Sequence, residues 1–327
     1  MIPLAHFNGS SKAAGPGEKL HTAVPVGRLA DGRRVELPVV IVRGSGEGPT
    51  VYVQAAVHGD EVNGIEVIRR FLHALEPSAL SGSIIAVPVA NLPAFTARQR
   101  HTPWDGADMN RAWPGKPDGN MSERMAHALF ESFVRQADAV IDLHADFADT
   151  VMHALFLPDQ RESRRLAEVF GLPVLIQDDP EAGAPDQRFQ GQLARGCAGI
   201  GTPAITVQLG GPGRFHEEAV AAGVRGLWNV FRYLRITPGE PEPPRQPQVV
   251  VEGRLTKALA PSGGLFVPAV AVGDKVELGQ PLGTIYGLQR LVDEADVPAP
   301  VTGMVVALNP HPTVHTGEVI ALVGKMA

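Results

Sequence analysis

The chain has 327 residues, 44% of them hydrophobic and 20% charged, with a formal net charge of −6, a composition that excludes a disordered or fibrous protein and leaves room for one large domain plus a smaller one. Its basic residues form no run or stripe of the kind that tracks a phosphate backbone, so nucleic-acid binding is not expected. No apolar stretch approaches the ~20 residues needed to span a bilayer, the N-terminus lacks the apolar core of a secretory signal, and Cys197 has no second cysteine to pair with, so no membrane partner and a cytoplasmic location are expected.

Residues 1 to about 30 are rich in Gly, Ser and Ala and are expected to begin irregularly. "RVELPVVIVRG" and "TVYVQAAVHG", rich in Val and Ile and bounded by Gly and Pro, predict short strands. Beyond them Val62, Ile65, Ile68, Phe71, Leu72 and Leu75 recur at helical spacing and predict an amphipathic helix. "GSIIAVPVANL" then predicts a buried strand, "SERMAHALFESFVRQA" a helix, "DAVIDLH" and "TPAITVQLGG" two more strands, and "HEEAVAAGVRGLWNVFRYL" a closing helix. Strands alternating with helices imply an α/β fold, a mixed and largely parallel sheet with helices on both faces. Ligands in such sheets collect beyond the carboxyl ends of the strands. Three of those ends carry polar clusters: "HGDE", "DLHAD" and "VQLGG".

At "TPGEPEPPRQPQ", residues 237–248, the composition shifts to Pro, Glu and Gln, as in a stiff exposed linker. It is expected to divide the chain into an α/β domain, residues 1–240, and a β-rich C-terminal domain, residues 249–327. In the latter, "AVGDKVELGQPLGTI" and "TVHTGEVIALV" echo each other between Gly and Pro punctuation. This small all-β domain resembles the barrel-sandwich of biotinyl and lipoyl carriers. A carrier needs a modifiable lysine at its hairpin tip, and residues 284–300 contain none. A structural or active-site-covering role is therefore expected.

Catalytic zinc sites commonly use three ligands drawn from His and carboxylates and leave a fourth position open. His58 and Glu61, three apart in a turn entering a helix, and His144 at another strand end would supply them. A purely structural hydrogen-bonded cluster is the other reading of the same trio.

Between the first two clusters lies "NLPAFTARQRHTPWDGADMNRAWPG". Together with "HGDEVNG", "IDLHAD" and "ITVQLGG", in this order and at these separations, it resembles the succinylglutamate desuccinylase and aspartoacylase family of the zinc carboxypeptidase clan, over nearly the whole chain. The resemblance implies a zinc carboxypeptidase-like fold with one Zn²⁺ per chain held by His58, Glu61 and His144. It further implies that Asn110 and Arg111 bind the carboxylate of a small N-acyl amino acid-like substrate, a guanidinium meeting a carboxylate through charge-assisted hydrogen bonds. Arg100 would polarise the scissile carbonyl and stabilise the oxyanion. Asp105 and Asp108 would order the loop. The family's pattern has a glutamate as general base where this chain has Gln208. An amide can hydrogen-bond a water and cannot take its proton, so Gln208 would at best orient it.

The resemblance therefore implies a zinc-dependent amidohydrolase, slow unless another group such as Asp146 replaces the base. A carboxypeptidase-like peptidase and a catalytically impaired zinc-dependent binding protein are the alternatives, and association into a homo-oligomer stays open. Among other histidines, His311 and His315 have an H-x-x-x-H spacing, but Pro312 and the turn context argue against a second metal site. His73, His127 and His216 fall on predicted helices as surface or boundary residues. His153 follows a strand-like piece near the proposed site, where lining the substrate is one reading and a plain structural position the other.

Overall fold

The structure, a computed structural model, describes residues 13–146, 149–178, 191–289 and 292–327. Ten strands open the chain order: β1 (Glu18–Arg28), β2 (Arg34–Arg43), β3 (Gly46–Ala55), β4 (Ser81–Val87), β5 (Ala139–His144), β6 (Asp149–Thr150), β7 (His153–Phe156), β8 (Val174–Gln177), β9 (Ala204–Gln208) and β10 (Val249–Glu252). All but β6 form one sheet in the order β1-β2-β4-β3-β5-β9-β7-β8-β10. Pairing is parallel from β4 through β3 and β5 to β9, and again from β7 through β8 to β10. It is antiparallel at β1/β2, β2/β4 and β7/β9. The fold is thus a mixed α/β sheet flanked by helices.

Among the described residues, six α-helices connect these strands: α1 (Asn63–Ala74), α2 (Leu92–Ala97), α3 (Met121–Ser132), α4 (Arg161–Phe170), α5 (Leu193–Ala198) and α6 (Glu217–Tyr233). Helices α1, α4 and α6 pack Val67, Ile68, Phe71, Leu166, Phe170, Val220 and Leu227 on one sheet face with Val53, Ile141 and Val207. On the other face, α3 and α5 pack Met125, Leu129, Phe130, Leu193 and Cys197 with Val39, Ile41 and Val140. Cys197 is buried.

The expectation of an irregular start through residue 30 fails. Glu18–Arg28 is strand β1, with Thr22, Val24 and Val26 buried in alternation. Pro25 and Gly27 flank a register shift on this edge strand, and these residues disguise the period-two pattern; an edge tolerates them because their outer groups need no ladder partner. Residues 1–12 of that segment lie outside the described residues.

After the linker, Val249–Glu252 pairs with β8 and so belongs to the large sheet. The remaining strands, β11 (Thr256–Leu259), β12 (Gly264–Pro268), β13 (Lys275–Val276), β14 (Pro281–Gly287), β15 (Val292–Pro298), β16 (Gly303–Leu308), β17 (Thr313–Val314) and β18 (Val319–Gly324), form two further sheets around Phe266, Leu282, Ile285, Val305 and Ile320. β6 pairs with β16 and ties this unit to the segment just after β5. Among the described residues no helix is long and apolar enough to cross a membrane.

Candidate functional site

The carboxyl ends of β3, β5 and β9 meet at one edge of the large sheet, and local geometry turns their side chains together. Beyond β3, Ala56 adopts a left-handed backbone, φ 52°, a conformation uncommon for a residue with a Cβ. It is held there by Asn91, whose N–H donates to Ala56 O at 3.0 Å and whose Nδ2 donates to Val57 O at 3.1 Å. His58 follows. Gly59 then passes so close to α2 that an added Cβ would stand 2.0 Å from the Ala94 carbonyl carbon, which explains the glycine of "HGDE". At the start of α1, Asn63 is buried and staples the loop after β9: its Nδ2 donates to Leu209 O at 2.8 Å and Gly211 O at 3.2 Å, and its Oδ1 accepts from His216 N at 2.9 Å.

His58, Glu61 and His144 are at most 2% exposed, and one ligand atom from each lies within 4.8 Å of the others. Glu61 stands between the imidazoles: Oε1 is 2.6 Å from His58 Nδ1 and Oε2 is 2.9 Å from His144 Nδ1. Oε2 also accepts the Ala145 N–H at 2.9 Å, and Oε1 accepts from Arg100 Nη1 at 2.9 Å. Each outer imidazole nitrogen has a carboxylate behind it, His58 Nε2 at 3.0 Å from Asp108 Oδ1 and His144 Nε2 at 2.9 Å from Asp142 Oδ2.

Asp142 is itself fixed from below. Strand residues two apart share a face, which aligns Asp142 with His144, and the parallel register sets Gln54 beside Asp142. The Tyr52 hydroxyl donates to Gln54 Oε1 at 2.8 Å, and this orients the amide so that its Nε2 donates to Asp142 Oδ1 at 2.9 Å. Burial pushes the Tyr52 phenol well above its ordinary range, helped by the Asp142 charge, so it stays a donor. The chain Tyr52–Gln54–Asp142 thereby holds His144 with its proton on Nε2 and directs Nδ1 at the site.

Charge follows the geometry. Burial alone would raise the Glu61 carboxyl, but the His144 and His58 imidazoles outweigh it and hold Glu61 well below the usual carboxylate range. Burial would likewise lower His144, but Asp142 and Glu61 prevail and push it up to about 10. Asp108, despite burial, is held low by His58 and Arg111. The pocket is therefore arranged to keep positive charge among its carboxylates. Two imidazole Nδ1 atoms and one carboxylate converging, with a carboxylate behind each ring, match the donor set and outer support common to zinc sites. The residues fit the ion that the sequence implied. Among the described residues this is the single His/Cys/Asp/Glu group of that kind, and His311 and His315 belong to none.

The remaining sequence-derived residues surround this group. Asn110 and Arg111 lie in a short 3-10 turn, Met109–Arg111, capped by Asp108, whose Oδ1 accepts the Asn110 N–H at 2.8 Å. Arg111 Nη1 donates to Asn110 O at 2.8 Å and is 3.7 Å from Asp108 Oδ2. Burial lowers the Arg111 pKa, and the nearby Arg100 charge lowers it further against Asp108. A second guanidinium close enough to disfavour the charge of Arg111 creates a field suited to an anion. Asn110 Oδ1 and Gln208 Oε1 are buried without a hydrogen-bond partner among the described residues. Gln208 sits beside His144 in the β5/β9 register. Asp105 orders the loop as expected, accepting from Ala107 N, Ser122 N and Ser122 Oγ at 3.0, 2.8 and 3.1 Å. Sequence reasoning missed Tyr52, Gln54, Asp142 and Asn63. The Asp142-x-His144 spacing could have flagged one of them, while Gln54 is identified only by pairing across strands.

Residues 47–234 match the model of the succinylglutamate desuccinylase/aspartoacylase catalytic domain. The chain is 31% identical over 305 residues, 89% of its length and 86% of the relative's, to an N-alpha-acetyl-L-2,4-diaminobutyric acid deacetylase of Halomonas elongata. The crystal structure of a succinylglutamate desuccinylase/aspartoacylase from Rhodobacter sphaeroides superposes with a TM-score of 0.81 at 28% identity, over 95% of this chain and 96% of that one. The product-bound ectoine utilization protein EutE of Ruegeria pomeroyi shares the fold, with a TM-score of 0.84 at 23% identity over 95% and 97% of the two chains.

Proposed function

Because the chain belongs to the succinylglutamate desuccinylase/aspartoacylase family of deacylases, we propose that it is a zinc-dependent amidohydrolase that removes an acyl group from the nitrogen of a small amino-acid-like substrate. The observation that carries this reading is the convergence of His58, Glu61 and His144, each imidazole backed by its own carboxylate. One Zn²⁺ per chain would be held by these three side chains, and when bound it would polarise the acyl carbonyl and bring the pKa of a coordinated water to roughly 7.

The chain's own residues do the rest. Arg100 reaches Glu61 from a position one third exposed, 34% by side chain, so it can serve the ligand set and an incoming acyl oxygen alike. A cationic donor placed where oxyanion charge develops lowers the barrier by a few kcal/mol. Arg111 and Asn110 bind the substrate carboxylate; the disfavour that burial and Arg100 impose on the Arg111 charge is relieved when an anion arrives. Gln208, beside His144, orients the attacking water through its amide. The substrate of the Halomonas elongata relative, an N-acetylated diamino acid, makes N-acetyl-2,4-diaminobutyrate the first compound to test.

Metal analysis and hydrolysis of a panel of N-acyl amino acids, before and after chelation and zinc replacement, test the proposal. One zinc per chain with zinc-restored release of the acyl acid is expected. Failure to take up zinc ends the reading. Release of an amino acid from N-blocked dipeptides makes the protein a peptidase instead, and ligand-induced thermal stabilisation without product across the panel makes it a binding protein.

A further inference from the structure

We propose that His153 carries the proton in this hydrolysis, in the role that the amide of Gln208 cannot fill. The inference rests on the amidohydrolase reading and adds a residue to it.

Three neighbouring strands place the relevant side chains in a row. His144 on β5 pairs with Gln208 on β9, and Gln208 pairs in turn with His153 on β7. Paired residues on adjacent strands project from the same face. Ala154 and Phe156 point to the α1/α4/α6 side of the sheet, so His153 points to the side of Gln208 and His144. β7 runs antiparallel to β9, and its first residue therefore lies at the same sheet edge as the last residue of β9. Two strand spacings, roughly 10 Å between backbones, separate His153 from His144, with Gln208 between them.

His153 is also prepared as a base. Its Nδ1 is 2.8 Å from Val151 O. A carbonyl can only accept, so the proton resides on Nδ1 and the lone pair on Nε2, the nitrogen without a partner among the described residues. Burial lowers the pKa and keeps the ring neutral, while the hydrogen bond to Val151 O and, less strongly, the charge of Asp146 work in the opposite direction and favour the imidazolium once a proton has arrived. A base oriented by one group and supported in its charged form by another is the arrangement that activates nucleophiles in hydrolases. As the water oxygen bonds to the acyl carbon, its proton passes to His153 Nε2, directly or through one intervening water. The same proton then goes to the departing nitrogen as the C–N bond breaks, giving an amine and a carboxylic acid and returning the ring to neutral.

The test compares the zinc-loaded wild type, His153→Gln, Gln208→Glu and the double variant in hydrolysis of N-acetyl-2,4-diaminobutyrate and the N-acyl panel. His153→Gln is expected to lower kcat by about 10²- to 10⁴-fold, with KM and zinc content held and with partial rescue by added imidazole. In the Gln208→Glu background, where a carboxylate is available, the same substitution is expected to cost at least about tenfold less than in the wild type. Nitrogen NMR of His153 at neutral pH is expected to show the neutral Nδ1–H tautomer, a readout independent of turnover. An undiminished kcat in His153→Gln, an equal loss in both backgrounds without imidazole rescue, or an Nε2–H tautomer overturns the proposal. Absence of hydrolysis by both the wild type and Gln208→Glu overturns the amidohydrolase reading itself.

Discussion

Replacing Asp142 with Asn should weaken zinc binding more than it weakens the fold. Asp142 is 2% exposed and spends one oxygen on His144 Nε2 and the other on Gln54 Nε2, both at 2.9 Å. An asparagine can keep its oxygen toward His144 only by turning its amide nitrogen to Gln54. Gln54 must then flip, and the Tyr52 hydroxyl, now an acceptor, loses the oxygen it donated to. One buried hydroxyl left without an acceptor costs about 1–3 kcal/mol of stability. The metal suffers separately, since losing the charged partner of a ligating histidine typically costs about 10- to 100-fold in affinity, or roughly 1.4–2.7 kcal/mol. Full burial places this pair toward the upper end. A partial compensation exists: Asp142 also helps hold His144 up at about 10, so in the wild type a proton competes with zinc at neutral pH. That competitor carries half the charge of Zn²⁺ and gains less from the carboxylate, so the net effect is a loss. Competition of the metal-free proteins against a chromophoric chelator should show Asp142→Asn about 10- to 100-fold weaker at pH 7. The gap should widen at pH 9, where the wild type has less proton to displace. Equal affinities at both pH values, with the variant folded by circular dichroism, would refute the assignment of Asp142 as the residue that orients His144.

Arg100→Met should lower kcat by about 10²- to 10³-fold with KM little changed, whereas Arg111→Met should act mainly on KM, raising it roughly 10- to 100-fold; steady-state kinetics separates the two. Asn63→Ala leaves Leu209 O, Gly211 O and His216 N without their partner and should cost about 2–3 kcal/mol, seen as a lower urea midpoint. In the metal-free protein, His144 is raised from 6.5 to about 10, so its contribution to stability is complete below pH 6.5 and is lost as pH rises toward 10. Glu61 is depressed from 4.5, so its contribution is present above that pH and is lost as pH falls. Thermal melts of the metal-free protein should accordingly peak between these limits, and zinc should remove the alkaline decline. Calorimetry at pH 7 in buffers of different ionisation enthalpy should register proton release on zinc binding.

How much of this could be read from the chain depends on the range of the interaction concerned. His58 and Glu61 share one turn and His144 ends a strand, Ala139–His144, whose apolar residues are interrupted only by Asp142, so their placement follows from local pattern. The same holds for α1, α3 and α6, whose apolar spacing is regular. By contrast, α4 carries five charges in "RESRRLAEVF", and only Ser163, Leu166, Ala167 and Phe170 turn inward, so its short stripe is hidden by its own polar face. Gln54 and Asp142 are 88 positions apart and become partners only through the β3/β5 register. His153 is the sharpest case. Its closeness to the site in sequence suggested substrate lining, but nothing local indicates that β7 opposes β9 directly, with residue 153 across from residue 208. A slip of one residue would turn His153 toward α4 and α6 and set Ala154 beside Gln208. The chemistry assigned to this imidazole therefore depends on a strand register fixed by the packing of Ala154 and Phe156 into the opposite core.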